Sequence, residues 1–218
     1  MMNFIVAGGA IDIDFAKKQI EAFAPCDRYI IACDGGLKAC LKMGLQPDYI
    51  IGDFDSAGED LYRQALKLDS QVKKLNPIKD DTDSEASVNL ALSANDGDIT
   101  ILGGTGSRLD HVVGNMSLLA FGHDKGRMIY ILDPTNRIYM LPAGSAHRIK
   151  KSQQHGKYVS IFPYMGPVTG LSLTGFKYPL KNETLTGFTT LTVSNEIVED
   201  EGVISFDQGH LIVMETRD

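Results

Sequence analysis

Ile99-Thr100-Ile101-Leu102-Gly103-Gly104-Thr105-Gly106-Ser107-Arg108-Leu109-Asp110-His111 is the stretch that decides how the chain folds. Ile99–Leu102 reads as a short buried strand, and the glycines at 103, 104 and 106 stop it. Leu109, Val112, Val113, Met116 and Ala120 then share one apolar face at helical spacing. Strand, tight turn and helix form the unit of a parallel sheet, in which a helix carries the chain back to the starting edge. The same unit recurs upstream. Phe4–Ala7 precedes a helical stretch at Phe15–Phe23, and Tyr29–Cys33 stops at Asp34-Gly35-Gly36 before a helical Leu37–Met43. Tyr49–Ile51 ends at Gly52, and Leu61, Ala65 and Leu68 resume the helical period. Thr82 with Glu85 three residues on fits a capping box ahead of Ala86–Ala94, and Met128–Leu132 closes the series as a strand.

These elements predict an α/β domain of three layers, a parallel sheet with helices on both faces. After Asp133-Pro134 the helical periods stop. Short β-type runs follow at Ile138–Leu141, Tyr158–Phe162, Leu171–Leu173, Thr189–Val193, Val203–Phe206 and Leu211–Met214, punctuated by Gly, Pro and Asn. That pattern predicts an all-β sandwich. The expected domains are residues 1–125 and 126–218.

The totals exclude several functions. The chain has 218 residues, 43% of them hydrophobic and 22% charged, which is ordinary globular usage. Its formal charge of −7 argues against nucleic acid or an anionic membrane as partner, because phosphate backbones are held by clustered Lys and Arg. Metal-bridged nucleotides remain possible, since cations link carboxylates to phosphates. Cys26, Cys33 and Cys40 form no C-x-x-C pair, and an odd count gives no complete disulfide framework. The N-terminal residues lack a basic region ahead of a short apolar run, and no stretch approaches the ~20 apolar residues needed to cross a bilayer. A reducing cytoplasm is the expected setting.

The polar clusters of the first domain fall just after strands, where open parallel sheets bind ligands. Asp53 and Asp55 are one residue apart, so in an extended segment both carboxylates face one side and can share a cation. Mg²⁺ commonly takes one or two carboxylates plus substrate phosphates. Alone, this D-x-D would read as an ordinary turn. Lys79-Asp80-Asp81-Thr82-Asp83 brings a second polar group to a helix start, where acidic residues also simply complement the helix dipole. Gly103, Gly104 and Gly106 could present backbone N–H groups to phosphate, although neither a Walker A loop nor a full G-x-G-x-x-G is present. Arg108, His111 and Asn115 make a polar helix stripe of the kind usually found on a solvated face. The remaining histidines lack metal-ligand spacing, and no nucleophile elbow occurs.

Taken in order, these clusters resemble the thiamine pyrophosphokinase family. The matching segments are Cys33-Asp34-Gly35-Gly36, Pro47-Asp48 through Gly52-Asp53-Phe54-Asp55-Ser56, Lys79-Asp80-Asp81-Thr82-Asp83, and Gly103 through Arg108-Leu109-Asp110-His111 to Asn115. Gly175-Phe176-Lys177-Tyr178-Pro179-Leu180 and Ser194-Asn195-Glu196 extend the resemblance into the second domain. The resemblance implies pyrophosphoryl transfer from ATP to the primary hydroxyl of thiamine by attack on the β-phosphorus, releasing AMP. It implies a homodimer with thiamine near the subunit interface. It implies that Asp53, Asp55 and Asp83 hold Mg²⁺, with Asp34, Gly35 and Gly36 nearby. Ser56, Lys79, Asp80, Thr82, Gly103, Gly104, Gly106, Arg108, Asp110 and His111 would serve the nucleotide, and Ser194 and Asn195 the pyrimidine of thiamine. Cys33 stands where Ala is usual, and Ser107 where a Gly often precedes the Arg. Two other readings compete: a phosphoryl-transferring kinase or metal phosphohydrolase on a related scaffold, and a non-catalytic thiamine or nucleotide sensor.

Overall fold

A computed structural model describes residues 1–54, 58–76, 82–106, 108–144, 146–187 and 189–218. The chain divides into two compact units, Met1–Pro134 and Thr135–Asp218. The division falls later than residue 126 because the strand Ile129–Leu132 pairs in parallel with Ile99–Leu102 and so belongs to the first unit.

In the first unit the elements alternate: β1 (Met2–Val6), α1 (Ile13–Glu21), β2 (Arg28–Cys33), α2 (Gly36–Met43), β3 (Tyr49–Gly52), α3 (Glu59–Ala65), β4 (Gln71–Lys74), α4 (Asp83–Ala94), β5 (Ile99–Leu102), α5 (Leu109–Asp124) and β6 (Ile129–Leu132). The strands lie in the order β4-β3-β2-β1-β5-β6, each neighbouring pair parallel. The chain therefore builds outward from β1 to β4, then returns to the other side of β1 to add β5. That reversal leaves a crevice at the C-terminal ends of β1 and β5.

The strands read as continuous apolar runs because residues of both alternations are buried. Phe4, Val6, Ile30, Ala32, Ile50 and Leu102 point to one face and form a core with Ala16 and Ile20 of α1, Leu37 and Met43 of α2, and Leu61 and Ala65 of α3. Ile5, Ile31, Ile51 and Ile101 alternate to the other face and are at most 1% exposed. There α5 packs: a side chain at Gly104 would meet Ile101, Ile131 and Asn115 together, and one at Gly122 would overlap Ile129.

The buried face of α5 differs from the expected one. Leu109 is 76% exposed and Val113 64%, whereas Asn115, Leu118, Leu119 and Gly122 are buried. Asn115 belongs to the sheet side because its amide has a backbone partner there, so the polar stripe is not a purely solvated face. The capping box is half formed: the Thr82 hydroxyl accepts from Glu85 N–H at 3.1 Å.

The second unit contains β7 (Asn136–Leu141), β8 (His147–Lys150), β9 (Tyr158–Thr174), β10 (Leu180–Leu185), β11 (Asn195–Glu196), β12 (Glu201–Ser205) and β13 (Gln208–Thr216), and its strand pairs are antiparallel. Two expected runs, Tyr158–Phe162 and Leu171–Leu173, are halves of β9. Its first half pairs with β13 and β11, its second with β10 and β12. The left-handed Met165 (φ 59°) lies between the halves and redirects the strand. Thr189–Val193, expected as a strand, runs as coil and turn over its described residues. Its alternation of Thr with Leu and Val imitates a strand, but Leu191 and Val193 are exposed.

None of the described helices is long and apolar enough to cross a membrane. Cys26 is exposed, while Cys33 and Cys40 are buried and unbridged. Burial pushes the Cys40 thiol up to about 12, so little thiolate exists at neutral pH. A thiol reagent at pH 8 should label Cys26 quickly and Cys40 only on unfolding. Mass spectrometry of the native protein checks this, and rapid native labelling at Cys40 would contradict its packing.

Candidate active site

A cleft of about 570 Å³ opens at the crevice between the ends of β1 and β5. Three backbone turns make its floor. Gly8-Gly9-Ala10 follows β1, Asp34 follows β2, and Gly103, Gly104 and Gly106 follow β5. The turns approach so closely that only glycine fits at some positions. A side chain at Gly9 would lie 2.3 Å from the Gly103 carbonyl oxygen, and Gly103 itself has φ +76°. The starts of α4 and α5 border the cleft through Thr82, Asp83 and Ser84, and through Arg108, Asp110 and His111. Both helix N-termini favour negative charge there, which suits phosphate.

The site carries mixed charge. Arg108 grips Asp110 with two parallel bonds, Nε to Oδ1 at 3.2 Å and Nη2 to Oδ2 at 2.5 Å. That pairing holds the Asp110 carboxyl below its usual range and raises the already high Arg108 value. Asp110 Oδ1 also accepts from His111 N–H at 2.9 Å. The guanidinium is thus aimed, yet its side chain is still 68% exposed at the cleft. Asn115 Nδ2 donates to the Gly104 carbonyl at 2.9 Å and ties the glycine turn to α5.

Of the residues singled out in the sequence, Asp34, Thr82, Asp83, Gly103, Gly104, Gly106, Arg108, Asp110 and His111 share this cleft. Gly35 lines a separate pocket with Lys38. Gly36 serves packing, since a side chain there would sit 1.8 Å from the Val6 carbonyl oxygen. Asp53 follows β3 next to the Asp34 turn, where Asp34 N–H donates to Ile51 O at 2.8 Å. Phe54 itself is left-handed, with φ 61°, and buries its ring against Tyr62, at 5.1 Å between centroids. Asp55, Ser56, Lys79 and Asp80 lie outside the described residues.

Ser194 and Asn195 lie in the second unit. Ser194 is exposed and left-handed (φ 57°), and its N–H donates to Ser160 Oγ at 2.9 Å. Asn195 is 3% exposed. Its Oδ1 accepts from Tyr178 N–H at 3.0 Å, and its Nδ2 donates to Tyr178 O at 2.8 Å. Its amide therefore clamps the Tyr178 segment to β11. Glu196 beside it is paired with Lys177 at 2.9 Å, which holds its carboxyl below the ordinary range.

Sequence reasoning missed Gly8, Gly9, Ala10, Ser84 and Gly114 among the lining residues. A signal existed for the first two: Gly8-Gly9 follows its strand as Gly103-Gly104 follows β5.

Among the described residues no three His, Cys, Asp or Glu side chains converge as a metal cage. Asp34 and Asp83 line the cleft and Asp53 is not among its lining residues; all three are oxygen-only donors, which suit Mg²⁺ rather than zinc or copper.

Comparison with known proteins gives the family. The thiamin pyrophosphokinase catalytic-domain profile matches residues 21–131, and the profile of that family's vitamin B1 binding domain matches residues 146–211. Thiamine pyrophosphokinase of Bacillus subtilis is 36% identical over 98% of both chains, and a crystal structure of that protein superposes with a TM-score of 0.88 at 34% identity over the whole of each chain. The crystal structure of thiamin pyrophosphokinase from Geobacillus thermodenitrificans gives a TM-score of 0.85 at 32% identity, covering 100% of this chain and 98% of that one. With its cleft at the sheet's reversal point and both domain profiles matched in order, the chain belongs to the thiamin pyrophosphokinase family of enzymes.

Proposed function

We propose that this chain transfers a pyrophosphoryl group from ATP to the hydroxyl of thiamine, giving thiamine diphosphate and AMP by in-line attack on the β-phosphorus. One observation carries the reading: two glycine turns and two helix N-termini meet Arg108 and Asp83 in a single cleft. Such chemistry needs positioning and charge neutralisation more than a protein nucleophile, and no nucleophile is required of this site. The turn N–H groups and Arg108 bind and orient the triphosphate, and Thr82 and Lys79 are assigned to the nucleotide by the family motif. Asp53, Asp55 and Asp83 would hold Mg²⁺, with Asp34 nearby, and the metal would neutralise charge on the phosphates.

The three-layer form of the first unit and a sandwich form of the second belong to this reading, with ATP bound by the first and thiamine by the second. So do a homodimer with thiamine near its interface and a cytoplasmic setting, which suits three unbridged thiols. Ser194 offers thiamine an exposed hydroxyl. Asn195, its amide engaged with Tyr178, would contribute by fixing that loop.

Incubation with ATP, Mg²⁺ and thiamine should yield thiamine diphosphate and AMP in equal amounts, and chelation of the metal should stop it. Asp83→Asn and Asp53→Asn should be nearly inactive. ADP in place of AMP would favour simple phosphoryl transfer, and ATP binding without either product would favour a sensor.

A further inference from the structure

We propose that Thr105 and Asp133 form a latch that sets the glycine turn for the triphosphate; the proposal rests on the reading of ATP as substrate. Thr105 bears the hydroxyl between Gly104 and Gly106. Its Oγ1–H donates to Asp133 Oδ2 at 2.6 Å, spanning 28 residues of sequence. The contact follows from register: Leu102 pairs with Leu132, so the residues after β5 and β6 leave the sheet side by side. A hydroxyl-to-carboxylate bond of this length is charge-assisted and stronger than a neutral one.

Both residues are half-buried, and neither lines the cleft. They act through the turn and are positioning residues. Asn115 holds the Gly104 carbonyl from α5, while Asp133, just past the end of β6, holds Thr105. Consecutive residues of the turn are therefore fixed from two sides. The arrangement matters because glycines at 103, 104 and 106 resist reorientation poorly by themselves. Without the latch the turn samples orientations in which its N–H groups miss the phosphates, and ATP binding carries the loss. Thiamine, expected to be bound by the second unit, does not depend on the turn.

Steady-state kinetics and ATP calorimetry on the full chain test the latch with Thr105→Val, Thr105→Ser, Asp133→Ala and the Val/Ala double variant. Thr105→Val should raise the ATP KM and Kd about tenfold, the ratio for losing one charge-assisted hydrogen bond, with the thiamine KM within about twofold. Thr105→Ser restores the hydroxyl and should restore affinity. The double variant should be no worse than either single, since both break one contact. A change in thermal midpoint reports any general structural loss separately. The latch is overturned if Thr105→Val binds ATP like the wild type, or if the two substitutions add. If the wild type binds ATP but makes no thiamine diphosphate, the functional proposal fails while the calorimetric ratio still decides the latch. If the wild type binds no ATP, both fail.

Discussion

Glu215→Ala is expected to lower the unfolding free energy by roughly 3–5 kcal/mol, the cost of breaking a buried ion pair from one side. Glu215 is 1% exposed and takes four hydrogen bonds. Arg137 meets both its oxygens, Nε at 3.0 Å and Nη2 at 2.6 Å. Tyr139 O–H donates at 3.0 Å and the His155 N–H at 2.9 Å. Removal takes the shared acceptor from these donors, of which Arg137 Nη2 keeps Gln153 O at 3.1 Å and the Tyr139 hydroxyl keeps its contact with His147. Because the Arg137 side chain is 30% exposed, water recovers part of the loss, and the lower end of the range is expected. Glu201, paired with Arg148 at an exposed position, is the control: its removal should cost under about 1 kcal/mol. Denaturant midpoints decide, and equal shifts for the two variants would refute the buried network.

The same cluster gives a pH dependence. Tyr139 donates to Glu215, so its oxygen can accept from His147 Nε2–H, 3.2 Å away. Burial lowers the His147 value; Glu215 opposes this and Arg137 adds to it. With the folded value below the unfolded one of about 6.5, the unfolded chain binds more protons between them, so stability rises with pH there. The contribution is complete above the unfolded value and fades as pH falls through that window. His147→Gln should remove part of the stability lost between pH 7.5 and 5.5.

The α/β half was legible because strands with both alternations buried write uninterrupted apolar runs, and because Thr82 and the glycines mark where elements begin and end. Three features were not. Strand β4, Gln71–Lys74, carries no fully buried residue, so no apolar run announced it. The α5 face was misjudged because Leu109 and Val113 fit the apolar period while Asn115 and Gly122, which periodicity discounts, make the close contacts with the sheet. In the second unit, β9 reads as two strands because Met165-Gly166-Pro167 resembles a turn, yet pairing continues on either side. For the site, the strand-end placement of Asp34 and Arg108 was readable, as was the helix-start placement of Asp83. Gly8-Gly9 carried the same strand-end glycine signal, but its close approach to Gly103 across the sheet's reversal point was not legible. Asn195 shows the opposite limit: its place in the motif was legible, its attachment to Tyr178 was not.

Arg108→Ala is expected to reduce kcat/KM on the order of 10²–10³-fold, the usual effect of removing a fixed donor from developing transition-state charge. Its thermal midpoint should barely move. The side chain is 68% exposed, and its ion-pair partner Asp110 is 63% exposed, so neither is left buried and unpaired. Stability and activity should thus separate across the molecule, with Glu215→Ala affecting the first and Arg108→Ala the second. Arg108→Lys keeps the charge but loses the planar fork that Asp110 grips, so it should restore only part of the rate. Asp110→Asn should cost less than Arg108→Ala, about tenfold, because the guanidinium remains but is no longer aimed by a charged partner. Since Arg108 holds the Asp110 carboxyl below its usual range, that pair stays ionised at neutral pH and should add no step to the activity profile between pH 6 and 9. Initial rates with varied ATP at saturating thiamine make the test. An Arg108→Ala enzyme with wild-type kcat/KM would place the triphosphate away from the start of α5.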